Sequence, residues 1–430
     1  MKHFWPVVSM LVVWFGVSSV AQANPLDSFG FGDRGTALAG AMDASADGLS
    51  AAAYNPASAT SARHVTLGAG YTFAVPDIHI NASRTSITQI HAATGALVLP
   101  WQIHRNWRAA FAGALFVPLN GLTHIWLRPA TEPQAVMWDN RNHRIASQAV
   151  VGLDYRSIIA LGIGLSAFGG IAGNGMDLDV HTLPGRTQAS TNLQIDVPWR
   201  IAPIAGIMFR PVSQLRLALR YIDEIALDAD IYAESYVHIP GTSIEGDTIV
   251  RAEGLDFFSP RSLSMAASID IDQWTVSAQL AWQQWSRVRQ ISSDVDLQIQ
   301  LGIDIDTINF VTPDPNWHDT WIPRLGLEYH MSDVHGRTLD LRWGYAYVPS
   351  PVPDQTGLTS FADADRHVIA TGIAVGFPVQ TWRWSLGIAL QAHVLQSRDT
   401  IKDSELGVGE DFRLSGAVYN ANVFIRTEMP

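Results

Sequence analysis

Cysteine is absent from all 430 residues, which excludes disulfide staples, thiol nucleophiles and thiolate metal sites. Charge is scarce as well: Asp, Glu, Lys and Arg make up 16% of the chain, against roughly 25% in soluble domains. What charge there is leans acidic, 40 side chains against 28, with no basic run. That balance argues against nucleic acid as a partner. Long apolar runs are missing too. Past residue 23, no uninterrupted apolar stretch reaches the roughly 18 residues that a spanning helix requires. Yet 47% of the chain is hydrophobic, so that hydrophobicity is dispersed along the sequence.

It is dispersed as alternation. In Val65, Leu67, Ala69, Tyr71, Phe73 and Val75 the apolar positions are separated by Thr66, Gly68, Gly70 and Thr72. Trp107, Ala109, Phe111, Gly113, Leu115 and Val117 share one face, as do Leu215, Leu217, Leu219 and Tyr221 opposite Arg216, Ala218 and Arg220. Trp274, Val276, Ala278, Leu280 and Trp282 repeat the pattern, and so do Trp384, Leu386, Ile388 and Leu390. A period of two with one apolar face predicts strands of a transmembrane β-barrel, lipid outside and lumen inside. About fourteen such segments begin near residues 64, 92, 107, 147, 159, 199, 215, 259, 274, 321, 338, 367, 382 and 413. A soluble β-sandwich alternates similarly, but apolar faces on every strand would leave it insoluble.

Loop lengths point the same way. Short connections (Gln102–Asn106, Tyr155–Ser157, Arg210–Gln214, Ile269–Gln273, Met331–Arg337 and Pro378–Thr381) alternate with long ones such as Pro118–Ile145, Gly170–Pro198, Arg289–Thr320 and Ser350–Arg366. This is the outer-membrane arrangement, with the long loops facing outward. Trp101, Trp107, Tyr155, Trp199, Tyr221, Trp274, Trp321 and Trp382 fall near strand ends, where interfacial girdles belong.

The N-terminal part is different. Residues 1–23 read as a secretory signal peptide: Lys2, an apolar run from Val7 to Val20, then Ala21-Gln22-Ala23 as the cleavage site. Residues 24–63 are rich in Ala and Gly and lack period-two alternation, while Ala37, Ala41, Ala44 and Gly48 fall at helical spacings. Composition alone leaves two readings open, a compact plug inside the lumen or a flexible periplasmic tail. The barrel then occupies 64–430.

Several segments carry a family resemblance. GTALAGAMDASADGLSAAAYNPA (35–57), ending in Asn55-Pro56-Ala57, resembles the hatch of FadL-type outer-membrane long-chain fatty acid transporters. LVLPWQIHRNWRAAFAGALFVPLNGL (97–122) is similar to that family's second and third strands. SPRSLSMAASIDIDQWTVSAQLAWQQWSRV (259–288) resembles its strand pair ending in W-x-x-W, here Trp282 and Trp285. LRWGYAYVPSPVPDQ (341–355) and DADRH (363–367) resemble its late loop and the following strand. The resemblance implies a barrel blocked by the hatch, ligand capture among the outer loops, and hatch rearrangement. It also implies exit through a wall gap at a kink in the third strand, where this chain carries Ala112-Gly113-Ala114.

A fatty acid requires an apolar channel and a cation for its carboxylate, and Arg suits because its fork binds carboxylate bidentately. Alternation turns Arg108, Arg200, Arg216, Arg220, Arg324, Arg342 and Arg383 toward the lumen, where Asp154, Glu328 and Asp340 are available as structural partners. Arg216, Arg220, Arg324 and Arg342 lie on strands close enough in sequence to share a patch, and are the candidate carboxylate ligands. Leu122, Ile125, Trp126 and Leu127 form an unusually apolar loop, a candidate outer groove. Asn55 caps local backbone and Pro56 sets a turn, pinning the hatch or simply ending it.

Chemistry beyond transport finds little support. His318 with Asp319, and His330, are the nearest to a catalytic cluster. Asp294, Asp296, Asp304, Asp306 and Asp314 read as solvated loop charge rather than a divalent-cation site. The sequence thus predicts a non-enzymatic, monomeric outer-membrane barrel of about fourteen strands without cofactor or metal. Its surroundings are outer-membrane lipid and lipopolysaccharide, and its ligand a long-chain fatty acid or other hydrophobic small molecule. Aromatic hydrocarbon uptake, a surface adhesin or receptor, and a membrane-embedded hydrolase are the alternatives.

Overall fold

Short strands with one lipid-facing side satisfy their backbone in a membrane by pairing on both edges and closing on themselves. The computed structural model of the chain describes residues 25–429 apart from 121–131, 139–143, 170–172, 182–187, 197–198, 239–244, 289–293, 301–303, 311–314, 358 and 404–409. Its wall is a closed antiparallel barrel of fourteen strands. In chain order these are Thr66–Ile80, Ile90–His104, Trp107–Pro118, Ile145–Tyr155, Ile159–Gly169, Arg200–Val212 and Leu215–Ile222. There follow Arg261–Ile271, Trp274–Gln284, Thr320–Ser332, Thr338–Val348, Arg366–Val379, Trp382–Leu395 and Phe412–Glu428. The first strand closes on the last from Thr66 opposite Glu428 to Ile80 opposite Leu414. Two short segments, Ser83–Arg84 and Arg398–Thr400, extend the sheet beside those strands. Among the described residues no helix is long and apolar enough to cross a membrane; the chain crosses with strands.

The predicted strand faces are observed. Leu161, Ile163 and Leu165 are exposed on one strand and Leu217 and Leu219 on another, while Ser166, Ala218 and Arg220 are buried on the inward side. A period of two fixes this assignment, because a slip by one residue would turn Arg220 to lipid. A charged side chain there costs roughly 2–4 kcal/mol at the bilayer midplane. Rings gather near the strand ends, with Trp107 and Tyr155 at 4.7 Å and Trp274 and Tyr329 at 4.6 Å between centroids. The turns on one side are short, and Ser157, Asp272 and Gln380 take positive φ there, as tight strand reversals demand.

The long loops are more ordered than their sequence suggested. Hairpins Gly173–His181/Gln188–Asp196, Ile225–His238/Glu245–Ser259 and Asp294–Gln300/Asp304–Phe310 pair side by side into a separate six-stranded sheet. Ile195, Ile231, Ala252 and Val295 stand at one level of this ladder, and Asp196, Asp230, Glu253 and Asp294 at the next. From the sequence, Gly170–Pro198 and Arg289–Thr320 read only as long loops, with Asp294, Asp296, Asp304 and Asp306 as solvated loop charge.

Residues 25–60 lie inside the barrel and are buried almost throughout. They form helices Pro25–Phe29 and Gly32–Ala37 and a 3-10 turn, Pro56–Ser61. Leu26, Phe31, Leu38, Met42 and Leu49 pack with the inward-facing Val98, Phe116, Phe168 and Phe424 in one core. In the structure the segment packs against the inner face of the wall. Small residues make this fit possible. A Cβ on Gly162 would lie 2.3 Å from the Pro56 carbonyl carbon, and one on Gly206 2.0 Å from Asn55 Oδ1. The signal-peptide reading falls on residues 1–23, outside the described residues.

Candidate ligand site above the hatch

The hatch is tied to the wall by charge where it cannot be tied by apolar bulk. Arg34 donates to both Glu328 oxygens, at 2.6 and 2.8 Å. Arg342 donates to Glu328 (3.1 Å), Asp33 (2.6 Å) and Asp340 (3.0 Å). Asp340 in turn meets His330 Nδ1 at 2.9 Å. Arg426 pairs with Asp47 at 2.7 Å, and Arg220 donates to the Ala53 carbonyl at 3.1 Å. Gln279 Oε1 accepts from the backbone of Met42 and Asp43, and Asn55 Nδ2 donates to the Ile207 carbonyl at 3.2 Å. Two hatch carboxyls are shifted in opposite directions. Burial pushes Asp43 up, against Arg220 and the Ser264 hydroxyl. Burial would raise Asp47 as well, but Arg426, Arg34 and the bonds from Ser50 outweigh it and hold it down to about 2. Buried ions persist only with partners such as these.

On the long-loop side of the hatch lies a cavity of about 30 Å³, room for about two water molecules. Its floor is Asp27, Ser28 and Ala39 of the hatch, and its walls include Trp285, Ile322, Ala346 and Val368. Two guanidiniums reach it, Arg324 and Arg366, with His393 beside them. Arg366 begins the strand Arg366–Val379, is 5% exposed, and stacks its guanidinium 5.2 Å from the Trp138 ring. Its Nε and Nη1 are buried and have no hydrogen-bond partner. His393 sits between Phe29 and Trp138, ring centroids 6.1 and 5.5 Å away, and meets Gln391 Oε1 at 3.1 Å. Such a chamber suits an apolar molecule with one anionic head: Trp285, Ile322, Ala346 and Val368 offer apolar contact, and Arg366 brings two nitrogens that lack a hydrogen-bond partner to a lining that also holds Asp27. The present volume does not admit an alkyl chain, so occupancy requires the hatch or the side chains above it to move.

The four candidate arginines are not gathered in one patch. Arg324 lines the cavity. Arg342 is engaged with three carboxylates of the hatch network, and Arg220 with the hatch backbone. Arg216 forks onto Asp270, both contacts 2.6 Å, and bonds Ser268. Sequence proximity of strands placed these residues on neighbouring walls, but height along each strand separates them. Arg108 pairs with Asp154, while Arg200 and Arg383 are exposed near strand ends. Arg366 was missed as a ligand candidate although it stands within the DADRH segment. Neighbouring Asp365 anchors the same corner, accepting from the Ser350 backbone at 2.8 Å and from the Tyr347 hydroxyl. Of the W-x-x-W pair, Trp285 is buried and lines the cavity, while Trp282 lies at the wall.

The other candidates stand as follows. Leu122, Ile125, Trp126 and Leu127 lie outside the described residues. Ala112-Gly113-Ala114 lies in a strand paired in unbroken register with both neighbours there. The expected kink is therefore not marked by a bulge; Gly113 has room for a Cβ, with its nearest neighbours 3.8 Å away. Among the described residues no group of three or more His, Asp or Glu is placed to hold a metal ion.

The model of the family described as outer membrane protein transport protein (OMPP1/FadL/TodX) matches residues 152–418. Alkane uptake protein A of Marinobacter nauticus is 25% identical over 183 residues, 40% of this chain. The matching stretch spans only 36% of that relative's length. Among solved structures, a FadL homologue of Pseudomonas aeruginosa superposes with a TM-score of 0.58 at 15% identity, over 96% of this chain and 99% of its own. The toluene transporter TodX of Pseudomonas putida gives 0.55 at 15% identity, over 95% and 99%. At these identities the structural likeness establishes the fold alone.

Proposed function

The chain belongs to the OMPP1/FadL/TodX family of outer membrane transport proteins, and from that premise we propose that it takes up long-chain fatty acids. In this reading the acyl chain is gathered among the outer loops and enters the barrel tail-first or head-first into the cavity above the hatch. Its carboxylate is received by Arg366 and Arg324, and rearrangement of the hatch releases it inward. The observation that carries the reading is the buried Arg366 fork, whose Nε and Nη1 find no protein acceptor, at the edge of a chamber lined by both polar and apolar side chains. A neutral hydrocarbon would leave those two nitrogens without an acceptor, with only the nearby Asp363 and Asp365 to offset the charge.

The names of the alkane and toluene transporters favour a second reading, uptake of neutral hydrocarbons by the same barrel. Titrating the purified protein with oleate and with hexadecane, following tryptophan fluorescence, separates the two. Arg366→Ala is expected to weaken oleate binding about 10- to 150-fold, the equivalent of roughly 1.5–3 kcal/mol for a charge-assisted bond, and to leave hexadecane unchanged. Equal effects on both ligands overturn the carboxylate reading.

A further inference from the structure

Arginines near the two ends of the barrel keep different company. Toward the long loops, Arg84, Arg261, Arg287, Arg398 and Arg413 each meet a carboxylate at 2.6–3.5 Å. At the short-turn end, Arg63, Arg105, Arg156, Arg337 and Arg383 are all exposed, and among the described residues none of them is ion-paired. The acids near them are already engaged. Asp333 accepts from the backbones of His335 and Arg337 at 2.9 and 2.8 Å. Asp154, 1% exposed, is held by Arg108 and Arg210 at 3.2 and 3.0 Å. Asp272 is exposed, but stands on the turn between Arg261–Ile271 and Trp274–Gln284, well around the barrel from Arg105. A chain of net charge −12 thus presents a positive edge at this end.

Arg105 and Arg156 form the best-defined part of that edge. They occupy neighbouring turns, joined where the Arg156 amide donates to the Asn106 carbonyl at 2.8 Å. Arg156 takes φ 54° and Ser157 φ 60°, positions that favour Asn or Gly, so turn chemistry alone does not account for an arginine there. Its guanidinium lies 5.2 Å from the centre of the Tyr155 ring, which packs against Trp107 at 4.7 Å. The wall beside these turns is apolar and open to lipid: Trp101 is 51% exposed and Ile103 62%. Trp and Tyr rings mark the level of the lipid headgroups, and an arginine at that level keeps its stem on apolar surface while its head reaches the polar layer.

We propose that this edge binds the headgroup of an anionic phospholipid, Arg105 and Arg156 receiving its phosphate while its acyl chains lie along Trp101, Ile103 and Trp107. The guanidinium fork offers paired N–H donors to phosphate oxygens. A zwitterionic lipid brings a cation of its own to the same positive edge and loses the net attraction that an anionic one keeps. The short turns of an outer-membrane barrel face the periplasm, so the lipid belongs to the inner leaflet. A soluble anion would use the two arginines but not the apolar surface beside them. Arg63, Arg337 and Arg383 extend the positive field around the rim. The inference is independent of which ligand crosses the lumen.

The test titrates the full chain in detergent with short-chain phosphatidylglycerol and with phosphatidylcholine of the same chains, counting bound copies by native mass spectrometry. The wild type is expected to hold phosphatidylglycerol about 25-fold more tightly, about fivefold for each arginine. The double variant Arg105→Gln/Arg156→Gln is expected to bind the two lipids alike. Arg105→Lys/Arg156→Lys, which keeps the charge, is expected to retain a preference for phosphatidylglycerol, and heat-dependent gel mobility shows that each variant is an assembled barrel. Equal affinity of the wild type for the two lipids overturns the proposal, as does a preference that survives in the glutamine variant. A lysine variant no more selective than the glutamine one counts against it as well. Displacement of phosphatidylglycerol by inorganic phosphate at matched concentration also overturns it, since the edge would then be a site for a free anion.

Discussion

Glu328 is the single side chain on which the attachment of the hatch most depends. It is 1% exposed, accepts two bonds from Arg34 and one from Arg342, and joins the helix Gly32–Ala37 to the strand Thr320–Ser332. Glu328→Ala removes the acceptor of three charge-assisted bonds and leaves two guanidiniums in the lumen. Arg342 retains Asp33 and Asp340, but Arg34 loses its only carboxylate within bonding distance among the described residues. Removing one partner of a buried pair costs about 3–5 kcal/mol. Relative to wild type, the undocked hatch then becomes about a hundred to a few thousand times more populated. The loss falls on hatch docking, because the barrel ladder does not use Glu328's side chain. Planar-bilayer recording is therefore the assay: the variant should show frequent openings where the wild type is closed, and faster protease cleavage within residues 25–60. Arg216→Ala, whose partners Asp270 and Ser268 both lie on the wall, is the control and should stay closed. Equal closure and equal protection for Glu328→Ala and wild type would refute the reasoning.

Other consequences follow from close packing and from charge state. Gly206→Ala drives a Cβ into Asn55 Oδ1 and should lower the thermal midpoint by the equivalent of about 1–3 kcal/mol, whereas Gly95→Ala, with nothing within 4 Å, should leave it unchanged. Asp43→Asn should raise the midpoint at neutral pH, because burial already disfavours the charged form there. The pH dependence has opposite signs at the two hatch acids. Asp47, held at about 2 and so below its ordinary value, contributes stability above the unfolded carboxylate range and loses it as pH falls through about 2. Asp43, shifted upward, favours the folded state as pH falls from neutrality. Protease protection of the hatch followed from pH 7 to pH 2 should thus hold or rise at first and fall only at the acid end, and Asp47→Asn should lessen that final fall, the rest coming from Glu328 and Asp33.

The strand order, the inward and outward faces and the alternation of turn lengths were legible because each is written with a period of two. Observed strand starts at Thr66, Ile90, Ile145 and Phe412 stand within two residues of those expected. The outer hairpins were not legible, since acidic alternation such as Asp294-Val295-Asp296 describes an exposed loop as well as a strand. The site was legible only in part. Alternation correctly turned Arg324 inward, and the DADRH segment was flagged, but a period of two carries no height along the barrel. Arg324 and Arg366 converge because their strands begin at the same rim. Arg342 sits lower on its strand and is spent on the hatch.

By itself the sequence determined a membrane-spanning, cysteine-free barrel of about fourteen strands with an Ala- and Gly-rich segment before it. Which side of a strand meets lipid is decided by a residue and its immediate neighbours, so a local pattern suffices. Only the tertiary structure decided where that N-terminal segment goes and what it does to the lumen. Its composition leaves plug and tail both open until Asp33, Arg34 and Asp47 are seen opposite Arg342, Glu328 and Arg426, nearly 300 residues or more away in the chain. Pairings at that separation depend on how far around and how far up the closed barrel each residue stands, and that is settled by closure, not by local pattern.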